Sequence, residues 1–226
     1  MIRRYDSGAA FLAENQAFLD TKPQISAFMA LDAPLLEKTD KINYAARCEK
    51  DGKTLLAMKV EPYHLQLFGD ADCAGELLDF LVRGGYEIQN YLSEKTLGDA
   101  AAREMEARFG MRYEEARAMA FMEARTLTEP SSPEAEAANE DDLDEIYACM
   151  ERFLVECNLQ DKPNREAMRR NIGGFRVIRA DGKIVSVGKA VRDIGESMRI
   201  TNVYTREAYR GKGYARKVVN TIKNEI

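Results

Sequence analysis

The chain has 226 residues, 45% of them hydrophobic and 31% charged, a composition of ordinary globular proteins with room for one large or two small cores. A formal net charge of -5, from 38 acidic and 33 basic side chains, provides no broad basic field to hold a nucleic-acid backbone, and no nucleic-acid partner is expected. No apolar run of about 18 residues is available to span a bilayer, and residues 1–20 have no signal-peptide core, so a cytoplasmic protein without a membrane partner is expected.

From the N-terminus, residues 11–19 and 24–30 read as helices. Two β-rich runs follow, 44–48 and 54–60, flanking Lys50-Asp51-Gly52, where Asp-Gly is the turn chemistry of a tight hairpin. A third strand is expected over 63–68. Beyond it lie Asp70 and Asp72, a helix through Leu77, Leu78, Leu81 and Val82, a strand near 86–92, a helix over 97–109 and a strand over 112–123.

The segment TEPSSPEAEAANEDD, 128–142, has two prolines and an acidic run in place of any apolar period. It divides the chain into a domain over 1–127, a linker over 128–138 and a domain over 139–226. The second domain opens on Asn139, a good N-cap, ahead of Leu143, Ile146, Tyr147, Met150, Phe153, Leu154 and Cys157 at helical spacing. Pro163 ends that helix, and a short one over 165–171 stops at Gly173 and Gly174. Strands over 175–179 and 183–191 flank Asp181-Gly182, a third strand covers 197–204, and 214–225 presents Val218, Val219 and Ile222 along one side of a helix. The two Asp-Gly-Lys turns, at 51 and 181, lie 130 residues apart in matching contexts, a pseudo-repeat. The second copy stops before the strand, helix and strand that complete the first, so a longer natural protein is expected.

Cys48, Cys73, Cys149 and Cys157 form no CxxC pair and His64 is the single histidine, so neither a zinc cage nor a disulfide framework is suggested. The eight-residue spacing of Cys149 and Cys157 suits core or boundary positions on one helix, and His64 reads as a strand-packed or surface residue.

Chemistry concentrates in residues 203–215, VYTREAYRGKGYA, at a strand-to-helix junction. Gly211 and Gly213 let main-chain amides approach a ligand, and a helix N-terminus adds unpaired donors and a favourable dipole, so an anion such as a diphosphate fits there. Arg210, Lys212, Arg216 and Lys217 add positive charge. A P-loop requires Gly-Lys followed by Ser or Thr, but here Lys212 precedes Gly213 and Tyr214 follows it; a dinucleotide fingerprint would need a small residue where Arg216 stands.

Arg210-Gly211-Lys212-Gly213-Tyr214-Ala215 resembles the Q/R-x-x-G-x-G/A acyl-CoA loop of the GNAT superfamily of N-acyltransferases, and Val203-Tyr204-Thr205 resembles the end of that family's fourth strand. The resemblance covers the order of elements from about 139 to 226. It implies the α+β acyl-CoA N-acyltransferase fold, a mixed, mainly antiparallel sheet flanked by helices, in a tandem whose first copy is degenerate because Asp70 and Asp72 would repel a pyrophosphate. It further implies acetyl-CoA as cofactor, with main-chain groups of Val203, Tyr204 and Thr205 pairing with the pantetheine arm. Amides from Gly211, Lys212, Gly213, Tyr214 and Ala215 would hold the pyrophosphate, and Arg210 would close the loop.

The implied reaction is acetyl transfer to a primary amine of a small molecule or peptide. Glu196 is the acidic side chain nearest the position of the family's base, and Asn202 stands where a water could be held instead. The family's acid tyrosine would lie beyond Ile226, while Tyr204 and Tyr209 read as packing residues. The alternative is a non-catalytic acyl-CoA-binding or regulatory module. Neither the acceptor amine nor the oligomeric state is legible.

Overall fold

The computed structural model describes residues 1–37, 43–123, 126, 129–159, 162–192 and 198–225. The chain forms two compact units, Met1–Met122 and Glu123–Ile226.

In the first unit, β1 (Ile2–Tyr5), α1 (Gly8–Leu19) and α2 (Pro23–Asp32) precede β2 (Tyr44–Lys50), β3 (Lys53–Lys59) and β4 (Leu65–Gly69). The helix α3 (Ala74–Arg83), β5 (Tyr91–Leu92) and α4 (Lys95–Phe109) complete it. The sheet runs β1-β2-β3-β4-β5, antiparallel except for the parallel β4–β5 pair. Leu77, Leu78 and Leu81 of α3 and Met105 of α4 are fully buried against Cys48, Leu55, Ala57 and Leu67 of the sheet, with Cys73 beside them.

Two expectations fail here. The strand expected near 86–92 shrinks to Tyr91–Leu92, and residues 112–123 form no strand. That segment contains no Val, Ile or Thr, and with so short a neighbouring edge no ladder compensates for its weak β-propensity. Met119, Phe121 and Met122 stand exposed along it.

The second unit runs β6 (Glu136–Ala137), α5 (Leu143–Glu156), α6 (Arg165–Arg170), β7 (Phe175–Ala180), β8 (Lys183–Arg192), β9 (Met198–Thr205) and α7 (Tyr214–Glu225). Its sheet, in the order β6-β7-β8-β9, is antiparallel throughout. Asn139 caps a short turn ahead of α5: its side chain accepts from the Asp141 amide, and Asp142 reciprocates by accepting from the Asn139 amide. Asp142 also binds Arg179 of β7 at 2.8 Å, locking the start of α5 to the sheet.

The sheet buries both faces. Ile146, Cys149 and Met150 of α5 and Met168 of α6 pack on Phe175, Val177, Val187 and Tyr204, while Val218 and Ile222 of α7 cover Ile178 and Val185 from the other side. Each fully buried aliphatic side chain contributes about 1.5–3 kcal/mol.

Of the linker expected over 128–138, residues 129–138 are tied into the second unit. Glu136 and Ala137 pair with Val177 and Arg176, Ala135 and Ala138 enter the cores, and the Ser132 amide donates to Thr221 Oγ1 at 2.9 Å. The Asn220 side chain donates to Glu129 at 2.5 Å. Without an apolar period the segment looks solvated in sequence, yet two of its alanines, Ala135 and Ala138, fit under the sheet and its polar groups bond to α7.

Both units follow one order: strand, two helices, a hairpin, a third antiparallel strand, then a helix. The matching turns are the expected tight ones, with Asp51 and Gly52 at φ 50 and 76 and Asp181 and Gly182 at φ 53 and 71. A Cβ at Gly182 would meet nothing within 4 Å, so Gly182→Ala tests backbone strain alone; a loss of about 1 kcal/mol in urea unfolding is expected.

Candidate functional site

The site is built where β9 ends and α7 begins. Along β8 and β9 the register slips: Val187 faces Tyr204, but Lys189 faces Thr201, so Asn202 and Val203 together oppose the single Gly188. This is a β-bulge, and Asn202 takes a left-handed conformation within it at φ 55. Gly188 also permits close packing, since a Cβ there would come within 2.7 Å of Val218 Cγ1 on α7. Sequence reasoning passed over Gly188; a lone glycine inside a β-rich run is the signal that marks such a bulge or close approach.

β9 is the last strand of its sheet and pairs on one side only among the described residues. Its far edge can therefore accept an extended ligand by main-chain pairing. The side chains of its final residues are engaged inward: Tyr204 is buried, and the Thr205 hydroxyl lies 2.8 Å from that of Ser186. Val203 lies on the α7 side of the sheet, close to Gly188.

The chain then turns through Glu207–Tyr209. Arg206 donates from its amide to Val185 O at 2.9 Å and from Nε to Ile184 O at 2.6 Å. Arg210 Nε donates to Thr205 O at 2.9 Å, closing the turn, and its guanidinium covers the Tyr204 ring and pairs with Glu156 at 2.5 Å. Burial raises the Tyr204 phenol above its ordinary pKa, with the nearby Glu156 adding to it, and the Tyr209 phenol is raised by its hydrogen bond to Asp181. Both tyrosines are thus kept protonated as packing and bracing groups.

Gly211 and Gly213 have φ 76 and 79, a region costly for other residues, and a Cβ on either would meet nothing within 4 Å. The space in front of them is open. The first helical bond of α7 runs from the Lys217 amide to Gly213 O at 3.1 Å. Among the described residues, the amides of Gly211, Lys212, Gly213, Tyr214, Ala215 and Arg216 have no protein acceptor. Six unpaired donors at the positive end of a twelve-residue helix form an anion cradle.

The basic residues divide differently from the sequence reading. Arg216 pairs with Glu129 at 3.5 Å and Lys217 with Glu134 at 2.5 Å, both directed to the segment ahead of β6, and Arg210 is held by Glu156. Lys212, resting over the Tyr209 ring at 5.2 Å, has no carboxylate partner among the described residues and is the cation left to a ligand. Asn202 sits in the bulge, its Oδ1 accepting from Thr201 Oγ1 at 3.1 Å. Glu196 lies outside the described residues.

No helix of the described residues is long and apolar enough to cross a membrane.

Residues 140–225 match the model of the Acetyltransferase (GNAT) family. No curated protein sequence matches the chain significantly. Among solved structures, the chain is similar to Rv2747 of Mycobacterium tuberculosis in complex with CoA, at 17% identity and TM-score 0.36, over 41% of this chain and 57% of that one. It is also similar to N-acetylglutamate synthase of Neisseria gonorrhoeae complexed with coenzyme A and N-acetyl-glutamate, at 18% identity and TM-score 0.37, over 40% of this chain and 22% of that one. A GNAT-family protein of Novosphingobium aromaticivorans aligns at 18% identity and TM-score 0.34, over 44% of this chain and 42% of that one. The chain thus spans less than two thirds of these proteins, and family membership rests on the sequence model. The second unit, over residues 140–225, is a member of the GNAT acetyltransferase family.

Proposed function

We propose that the second unit binds acetyl-CoA and transfers its acetyl group to a primary amine. The observation that carries this reading is the row of six amides from Gly211 to Arg216 without an acceptor among the described residues, opening on free space beside a strand edge that pairs on one side only among them. A diphosphate satisfies those donors, and Lys212 supplies charge at the same place. The pantetheine arm then runs along β9 by main-chain pairing, which brings the thioester to the bulge at Asn202 and Val203. There the acceptor nitrogen attacks the thioester carbonyl, the C–S bond breaks, and the thiolate leaves with the proton that the nitrogen loses. Asn202, uncharged and left-handed in the bulge, suits a water-positioning role, and Glu196 is the carboxylate assigned as base.

The first unit is proposed to have the same ancestry without the cofactor site. At the start of α3, a Cβ on Gly75 would lie 2.5 Å from Arg108 Nη2 and 2.6 Å from Glu104 Oε2, so side chains of α4 fill the ground that is open in front of α7. Asp70 is engaged by the Thr54 amide at 2.9 Å and Asp72 by Lys53. Titration calorimetry tests the assignment: CoA and acetyl-CoA should bind at one site per chain, and absence of heat at millimolar ligand would overturn it.

A further inference from the structure

Several lysines pair with acids: Lys22 with Glu94, Lys50 with Glu76, Lys59 with Glu61, Lys95 with Asp99 and Lys217 with Glu134, while Lys212, with none among the described residues, is exposed. Lys189 is half-buried in the middle of β8, between Phe175 on β7 and Thr201 on β9, and no carboxylate pairs with it among the described residues. Its amine rests 5.1 Å from the centre of the Phe175 ring, and its stem runs past Gly174, where a Cβ would sit 3.8 Å from Lys189 Cε and 3.9 Å from Cγ. The stem is thus confined between a glycine and a ring, which fixes where the head group lies. Burial alone pulls the ammonium below its ordinary pKa, the mark of a cation without a counter-charge.

Position gives this charge a use. Alternation puts Lys189 on the same side of the sheet as Val187, facing α5 and α6, and its cross-strand partner Thr201 is the residue immediately before the bulge at Asn202. Paired side chains on neighbouring strands begin about 5 Å apart, so the amine lies within the span of a small amino acid from the bulge.

We infer that Lys189 holds a carboxylate of the acceptor, so that the amine acetylated at the bulge belongs to an amino acid rather than to a simple alkylamine; this rests on the acetyl-transfer reading above. Lysine contributes a point charge to the acceptor carboxylate and takes no part in the proton transfer.

The test compares each amino acid with its amide as acceptor, in the presence of acetyl-CoA, for the unaltered chain and for Lys189→Met and Lys189→Arg. Acids are expected to exceed their amides at least 10-fold in kcat/KM. Lys189→Met should erase that preference through KM, leaving amide turnover, CoA affinity and melting temperature unchanged, while Lys189→Arg should retain most of it. Equal use of acids and amides by the unaltered chain, or a preference that survives Lys189→Met, overturns the inference. Where turnover is too slow to read, calorimetric binding of the same acids and amides to the CoA-saturated chain carries the comparison, and absence of binding by every acid overturns it. Failure of CoA itself to bind would instead strike the acetyl-transfer reading.

Discussion

Gly213→Glu is expected to weaken CoA binding at least about 100-fold, the largest functional effect of any single change near the loop, corresponding to about 3 kcal/mol. Two effects combine. At φ 79 a side chain costs about 1–2 kcal/mol of backbone strain, which tilts the amides of the cradle, and a carboxylate then sits where a diphosphate would lie. Gly213→Gln separates them, because it keeps the strain and the bulk without the charge. The glutamine variant should lose about 10-fold, and the further loss in the glutamate variant should shrink as salt rises from about 0.05 to about 0.5 M, when the Debye length falls from about 14 to about 4 Å. Neither variant should unfold the unit, since a Cβ at Gly213 meets no atom within 4 Å. Equal CoA affinity in all three proteins, measured by calorimetry, would remove the amide cradle as the cofactor site.

That loop was legible from sequence because its signals are local. Gly211 and Gly213 need positive φ, α7 begins at Tyr214 as its apolar period indicates, and Asp51-Gly52 and Asp181-Gly182 set their hairpins by turn chemistry alone. Features set by distant partners were not legible. β1 has only four residues, and its ladder comes from Ala45 to Cys48, 40 to 46 positions away. β6 hides in a polar, proline-bearing stretch because its partner is β7 and its anchors are Asn220 and Thr221. The strand expected over 112–123 has no edge long enough to pair with. The fate of the basic cluster belongs to the same class. Arg210, Arg216 and Lys217 are consumed by Glu156, Glu129 and Glu134, acids that sequence places 54, 87 and 83 residues away, so the charge left facing the cradle is that of Lys212.

Gly188 is the position where a single methyl should most damage the fold and the site together. An alanine Cβ would come within 2.7 Å of Val218 Cγ1 and 3.2 Å of Ile222 Cδ1, both on the fully buried face of α7, where packing leaves little room to yield. Gly188→Ala is therefore expected to cost about 2–3 kcal/mol in urea unfolding, the upper part of the range for overpacking. Because α7 also carries the cradle at its N-terminus, relief by sliding the helix outward would displace the amides of Tyr214 to Arg216, and CoA affinity should fall with stability. The second change that discriminates is Val218→Ala, which by itself opens a cavity and costs about 1–3 kcal/mol. Combined with Gly188→Ala it removes the clashing methyl, so the double variant should be more stable than the sum of the two losses by about 1–2 kcal/mol. Strict additivity would mean that the bulge tolerates a side chain by some route other than displacing α7, and that Gly188 serves backbone geometry rather than the approach of the helix.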